Sequence, residues 1–553
     1  MIMNCENKKK SNEEESQNKE ASVIKTPFVW EGANLYFLLT DRFNNGDTSN
    51  DVNFERTKKT AKLRGFKGGD IKGITQKVKE GYFTDLGINA IWMTPIVEQI
   101  HGGTDEGTGM TYGFHGYWTK DWTKIDPNFG TKEDLHELVE EAHARGIRIV
   151  LDAVINHTGP VTKKDPVWPE EWVRTDPQCT FDSYEHTVKC TLVANLPDIR
   201  TENNINTELP PQLVEKWKAE GRYEQEIKEL DEFFKRTGHP RAPRFYIIKW
   251  LTDYITEFGV DGYRADTVKH TEAYVWEEFK EACDYAFSEY KKNNPKKVLD
   301  DTNFYLVGEV YNYGVSTGQE YDFGDKKVNY FDPPSFHSLI NFDFKHNSKD
   351  LGYDALFRLY SDTLKGPLKD FGTLNYLSSH DDGSPFDAVR KKPFETANKL
   401  LLSPGTSQVY YGDESSRSLI ISGTEGDATL RSMMNWDSIA KRKRTKEVLT
   451  HWQKLGKFRA NHPAVGAGVH HMLTEQPYYF YRSYQKDDFI DLVIIGLELK
   501  KGEKVIDVSK VFKNGDNLRD TYSGEASTVS DGFVTIKSDY TVVLLEKLEV
   551  NIQ

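Results

Sequence analysis

Val260–His270 reads VDGYRADTVKH. As a strand finishing an apolar run, this stretch puts Arg264 and Asp266 on one side, because side chains alternate with period two. A fixed positive charge then stands beside a carboxylate at the strand's exit, with Lys269 and His270 close behind. One such exit decides little, since an isolated Arg-x-Asp is more often a salt bridge than a catalytic pair. Repetition gives it weight. ANLYFLLTDRF (33–43), INAIWMTPI (88–96), IRIVLDAVINH (147–157), FYLVGEVY (304–311), LINFDF (339–344), LNYLSSHDD (374–382) and SQVYYGDE (407–414) also read as strands. With VDGYRAD they make eight, the count of a closed parallel (β/α)8 TIM barrel. Near-continuous apolar strands suit a sheet covered on both faces.

Helical patterns fill the intervals. KVKEGYFTDLG (77–87) reads as a helix ended by a glycine. TKEDLHELVEEAHARG (131–146) opens on Thr131 and Asp134, close to a capping box. FYIIKWLTDYITEFG (245–259) is a third helix. An open doubly wound sheet is the alternative, but no Gly-rich phosphate turn follows the first strand. Two segments interrupt the alternation. A loop-rich stretch follows the third strand, and 213–238 reads as one or two exposed helices with charges on one face. Past His462–Pro463 strand-like runs take over, as in an antiparallel β domain. The expected organisation is an N-terminal tether over 1–27, a barrel over 28–157 and 244–463, an inserted domain B over 158–243, and a C-terminal β-sandwich over 464–553.

Composition narrows the function. The chain has 553 residues, and 37% of them are hydrophobic, enough for a large core beside smaller domains. A net charge of −14 argues against a nucleic-acid partner and against adhesion to an anionic membrane. No apolar run is long enough for a transmembrane segment. Residues 1–20, MIMNCENKKKSNEEESQNKE, read as a charged, disordered tether. Cys5 ahead of that tether resembles the end of a lipoprotein signal whose upstream part is missing; a free thiol is the alternative. Cys179 and Cys190 flank CTFDSYEHTVKC, which a disulfide-closed hairpin would explain. A metal reading through His186 matches no common zinc spacing. A disulfide implies an oxidising compartment. The expected location is extracytoplasmic (secreted, periplasmic, or lipid-anchored through Cys5), with the cytoplasm as the alternative. Cys283, in an apparent helix, reads as a core residue.

In a β/α barrel the C-terminal strand ends build the active site. Those ends supply Asp152, Asn156 and His157, then Arg264 and Asp266, then Glu309, then His380 and Asp381. No Ser-His or Cys-His pair stands out there. Paired carboxylates suggest glycoside hydrolysis. Arg264 would hold one acid ionised, and an acid among acids, such as Glu309, would keep its proton.

Here the chain resembles the α-amylase family of glycoside hydrolases. DAVINH, GYRADTVKH, VGEV and SSHDD look like its four signature segments, and LPDIR (Leu196–Arg200) resembles an additional one. The resemblance implies that Asp266 is the nucleophile, Glu309 the acid/base and Asp381 the transition-state stabiliser. It implies that Arg264 orients Asp266, that His157 and His380 bind sugar hydroxyls, and that Tyr117 in FHGYW stacks on the sugar beside His115. It places Lys269 and His270 towards the leaving-group side. Ser379 departs from the family, where asparagine is common.

The resemblance also implies structural Ca2+. NNGDTSND (Asn44–Asp51) is dense in oxygen donors, though a polar turn would look the same. The family's first calcium loop would draw on Asn45, Asp47, Asn50, Asp51, the Gly68 carbonyl and Asp70. A second site would use Asn156, Asp198 and the His270 carbonyl. The expected protein is a monomeric, retaining hydrolase of internal α-1,4 bonds in an α-glucan substrate such as starch, glycogen or maltooligosaccharides. The alternatives are a glucanotransferase, an α-1,6-cleaving enzyme and a non-catalytic glucan-binding protein. The transferase ranks lower in this reading because cyclodextrin-forming enzymes carry extra β domains.

Overall fold

The computed structural model describes residues 26–105, 107–332 and 335–548. Cys5 and nearly all of the expected tether lie outside these. Among the described residues, eight parallel strands close a barrel: β1 (Asn34–Leu38), β2 (Ala90–Met93), β3 (Arg148–Ala153), β4 (Gly262–Ala265), β5 (Tyr305–Gly308), β6 (Ser338–Asn341), β7 (Gly372–Tyr376) and β8 (Thr406–Tyr410). Each falls inside or against a segment read as a strand. Every residue of these strands is buried, which explains why their sequences are apolar runs and not alternations.

The Thr131–Asp134 capping box is present and starts the helix Lys132–His143. One reading needs correction. Residues 77–87 are not a single helix: Ile71–Lys79 ends and Tyr82–Asp85 begins at Gly81, whose φ of +79° breaks the ladder. The charged stretch 213–238 forms two helices, Pro211–Ala219 and Tyr223–Thr237. They are not merely exposed, because Trp217 and Leu230 are fully buried against the barrel's own core.

The C-terminal sheet joins six antiparallel strands, and a separate two-stranded sheet (Gly502–Asp507 with Phe533–Ser538) faces it. Alternation does the sorting. Tyr479, Ile494, Val543 and Leu545 enter the sandwich core with Ile506 and Ile536. Their neighbours Phe480, Val493, Ile495 and Leu544 join the core shared with the barrel.

Buried cations fasten this junction. Arg482 reaches across it from strand Tyr478–Lys486 to Leu402 O, while Arg459 holds the neighbouring Leu401 and Ser403 carbonyls from the barrel side, all groups left over where a helix ends. His462 sits between Asp491 and Glu546, 2.8 Å from each. Burial opposes its charge, but hydrogen bonds to both acids prevail and raise its pKa to about 9. A group raised on folding stabilises fully below its unfolded pKa near 6.5 and loses that contribution as pH rises through the folded value. Thermal unfolding should therefore show a loss on the order of 3 kcal/mol between pH 7 and 10 that His462→Gln does not show.

Candidate active site

The parallel ladder runs on past the strand ends and carries the acids with it. Asp266 N donates to Ala153 O and Glu309 N to Ala265 O, both at 3.0 Å, while Val268 N donates to Glu309 O at 2.9 Å. Both carboxylates are thus fixed by backbone at the C-terminal rim. Thr267, between Asp266 and that last contact, has φ +47°, a conformation a β-branched residue rarely adopts. The turn aims its N–H at Glu309 Oε2, 3.0 Å away. Such strain persists where surrounding structure enforces it, and it collects at functional sites.

Arg264 is the hub. Its Nη1 lies 3.0 Å from Asp152 Oδ1 and 2.7 Å from Asp266 Oδ1, and its Nη2 lies 2.8 Å from Glu309 Oε2. All four groups are buried. Burial lifts Glu309 well above the carboxylate range; Arg264 opposes this, and Asp266 and Asp381 add to it. Burial likewise raises Asp152, with Arg264 opposing. For Arg264 burial disfavours the charge, but Asp152 and Glu309 outweigh it and hold its pKa well above the ordinary value. The opening pair of the sequence is therefore a three-carboxylate, one-guanidinium centre. Burial favours the protonated form of Glu309 and of Asp152, and Asp266 stands in close contact with the cation.

The remaining predicted residues converge on the same cleft, of about 710 Å³. Asp152 receives Tyr117 OH at 2.9 Å and Trp92 Nε1 at 3.0 Å, which sets the Tyr117 ring. That ring stacks on His380, centroids 5.3 Å apart. His157 Nε2 lies 3.1 Å from Tyr117 O. Tyr117 N donates to His115 Nδ1, leaving Nε2 for a ligand. Burial lowers the pKa of His115, His157 and His380, so all three suit neutral hydroxyl recognition. Ser379 Oγ lies 3.3 Å from His380 Nδ1, so the departure at 379 still meets the histidine. Asp381 keeps substantial exposure towards the cleft. The turn behind it is anchored by Asp382, which accepts from Tyr376 OH at 2.6 Å, from Ser384 N at 3.0 Å and from Lys345.

Several cleft residues escaped sequence reasoning. Asp427 pairs with Arg64 at 3.1 Å and with Arg431, whose Nε donates to His380 O. These charges close the end of the cleft near His380. At the Glu309 end, Lys269 Nζ donates to Tyr311 O at 3.3 Å and Tyr321 OH at 3.1 Å. His270 also lines the cleft, its Nδ1 lying 3.0 Å from Thr187 O.

The two calcium sets differ. In the first loop Asn45 Oδ1 and Asn50 Oδ1 are buried without a hydrogen-bond partner, which suits a hard cation. Asp51 Oδ1 takes Asn45 Nδ2 at 2.8 Å, and a Cβ on Gly68 would fall 2.5 Å from it, so the Gly68 backbone lies against the cluster. Asp70 caps the following helix and accepts Gly46 N, Asp47 N and Gly73 N. Asp47 is tied elsewhere, to Lys72 at 2.8 Å and to Ser49. Asn45, Asn50, Asp51 and the Gly68 backbone fit calcium, while the Asp70 carboxylate is already filled by backbone N–H groups. No cluster of three His, Cys, Asp or Glu side chains suited to a metal occurs among the described residues, so amide and carbonyl oxygens would do most of the holding.

At the second set, Ile199 N donates to Asn156 O at 2.7 Å and Thr271 Oγ1 lies 3.4 Å from Asn156 Oδ1. Asp198, however, is already paired with buried Arg174 at 2.7 Å. A guanidinium there opposes a dication, although both Asp198 carboxylate oxygens are buried without a hydrogen-bond partner, so this set fits one less well than the first loop. Calcium in excess should add ~2 kcal/mol or more to stability in thermal unfolding, and a chelator should reverse it. Asn45→Ala/Asn50→Ala should abolish that difference in thermal unfolding, whereas Asn156→Ala should keep it.

The family model for the alpha-amylase catalytic domain matches residues 37–453. The chain is similar to the periplasmic alpha-amylase of Escherichia coli (strain K12), 34% identical over 519 residues that cover 83% of this chain and 72% of that one. It is also similar to the cyclomaltodextrin glucanotransferase of Geobacillus stearothermophilus, 27% identical over 465 residues, 82% of this chain but only 58% of the other. Among solved structures it is similar to CldA, described as a cyclomaltodextrin glucanotransferase with a three-domain ABC distribution. That match has a TM-score of 0.63 at 20% identity, over 94% of this chain and 99% of that one. At that identity the likeness speaks for the fold.

Proposed function

The chain belongs to the α-amylase family of glycoside hydrolases, and from that premise we propose that it cleaves internal α-1,4 bonds of α-glucans with retention of configuration. The observation that carries this reading is one guanidinium bridging Asp266 and Glu309. Such a bridge holds the two carboxyls close, as a nucleophile and acid/base pair requires and a water-spaced inverting pair does not. Glu309 protonates the glycosidic oxygen while Asp266 Oδ attacks the anomeric carbon, giving a covalent glycosyl-enzyme and a released chain. Glu309, now a carboxylate, takes a proton from water, which attacks the same carbon and frees Asp266. Asp381 grips hydroxyls of the distorted sugar, Tyr117 stacks on it, and His115, His157 and His380 bind its hydroxyls. Calcium bound at the first loop would stabilise the fold and take no part in the reaction.

Incubation with soluble starch tests this. Reducing ends should rise quickly with mixed short maltooligosaccharides. The aromatic rings around Lys269 favour a second reading, in which a sugar replaces water as acceptor. Redistributed chain lengths without new reducing ends would establish that reading. Because Glu309 must hold its proton, kcat/KM should persist through neutrality and fall on the alkaline side. A fall centred near 4.5, the ordinary carboxyl value, would contradict the assignment.

The disulfide between Cys179 and Cys190 supports an extracytoplasmic location. Among the described residues no helix is long and apolar enough to cross a membrane.

A further inference from the structure

One wall of the cleft comes from the inserted segment, and a covalent bond closes the loop that forms it. Cys179 and Cys190 are joined. Between them lie Phe181 and the short helix Glu185–Val188. Thr187 O from this loop meets His270 Nδ1, and the Phe181 ring stands edge-on to the His270 ring at 5.7 Å. Phe181 is 51% exposed, has φ +60° and lines the cleft. Tyr311, across Lys269, is 50% exposed. Lys269 Nζ lies 5.9 Å from the Phe181 ring centre and 5.3 Å from each of Tyr311 and Tyr321. Tyr184 N donates to Asp325 Oδ1 at 2.8 Å, linking the loop to the hairpin that carries Tyr321.

A half-exposed phenylalanine in a left-handed conformation gains little from its own packing. A short polar loop would have many other states, and covalent closure removes most of them. What remains is an apolar ring face beside the acid/base end of the cleft, of the kind that covers the apolar face of a sugar ring. We infer that the Cys179–Cys190 disulfide is a positioning element for glucan binding: it holds Phe181 as a platform for a glucose unit on the leaving-group side of the scissile bond. The inference rests on the proposed function.

The test compares wild type, Cys179→Ser/Cys190→Ser, and Phe181→Ala on two substrates. Maltoheptaose spans both sides of the cleavage point. α-Maltosyl fluoride has only fluoride as its leaving group and needs no platform there. Both variants should raise KM for maltoheptaose about tenfold, with kcat changed less, and shift kcat/KM on the fluoride less than about twofold. Combining them should add little, because each removes the same platform. Equal losses on both substrates, or none on either, would overturn the inference. If the double serine variant fails to fold, reduction of the folded wild type with dithiothreitol, with thiols counted, replaces it and must give the same split. Calorimetric affinity for maltoheptaose in a Glu309→Gln background gives a second readout. Weakening by Phe181→Ala and by disulfide loss supports the inference, and unchanged affinity overturns it. Wild type that binds maltoheptaose without cleaving it would refute the proposed function alone; wild type that does not bind it would refute both.

Discussion

Asp266→Asn is expected to fold like wild type and to lose hydrolysis by ~10⁴-fold or more. The substitution keeps shape and volume, and the amide oxygen can still accept the 2.7 Å contact from Arg264 Nη1. The backbone bond to Ala153 is untouched. What disappears is the anionic oxygen that attacks the anomeric carbon. The other groups around Arg264 cannot replace it. Asp152 is committed to Trp92 and Tyr117, and Glu309 is needed as the acid. Initial rates on maltoheptaose with a thermal melt on the same sample check this. A melting temperature within a few degrees of wild type with less than a tenfold loss of rate would contradict the role.

Arg264→Met should damage stability as well as rate. The guanidinium is 1% exposed and touches three buried carboxylates. Removing it leaves those groups to repel one another in a poorly solvated site, a loss of about 3–5 kcal/mol at neutral pH. They can escape only by taking up protons. The variant's carboxyl pKa values are thus raised on folding, and the deficit shrinks as the pH falls and grows as it rises. Arg264→Lys should be intermediate, since an ammonium keeps the charge but not the planar fork that reaches Asp266 and Glu309 together. Melting curves at pH 5 and pH 8 test the sign. A deficit that is larger at pH 5 would mean that Arg264 is not the charge that permits three carboxylates in this space.

Much of the barrel was legible because its strands are buried on both faces, which leaves apolar runs such as NLYFL, AIWM and YLVG. The acids proposed as catalytic were legible because each stands where a barrel strand ends. The parts that were not legible depend on contacts remote in sequence. Arg64 and Asp427 pair across 363 positions, and neither belongs to a motif. Tyr311 and Tyr321 are ordinary loop tyrosines until Lys269 gathers them. The break at Gly81 is a single glycine that could equally have ended a helix. The guanidinium beside Asp198 was not legible for a related reason: Arg174 reaches it because residues 173–174 pair with 198–199 in a short antiparallel bridge.

The central claim is that Asp266 and Glu309 act as a nucleophile and acid/base pair on α-1,4 linkages. Its most direct test is proton NMR of maltoheptaose hydrolysis, recorded before mutarotation. The first reducing ends formed should be α-anomers, later relaxing to the equilibrium mixture. First-formed β-anomers would mean direct attack by water, and with it a different job for Asp266.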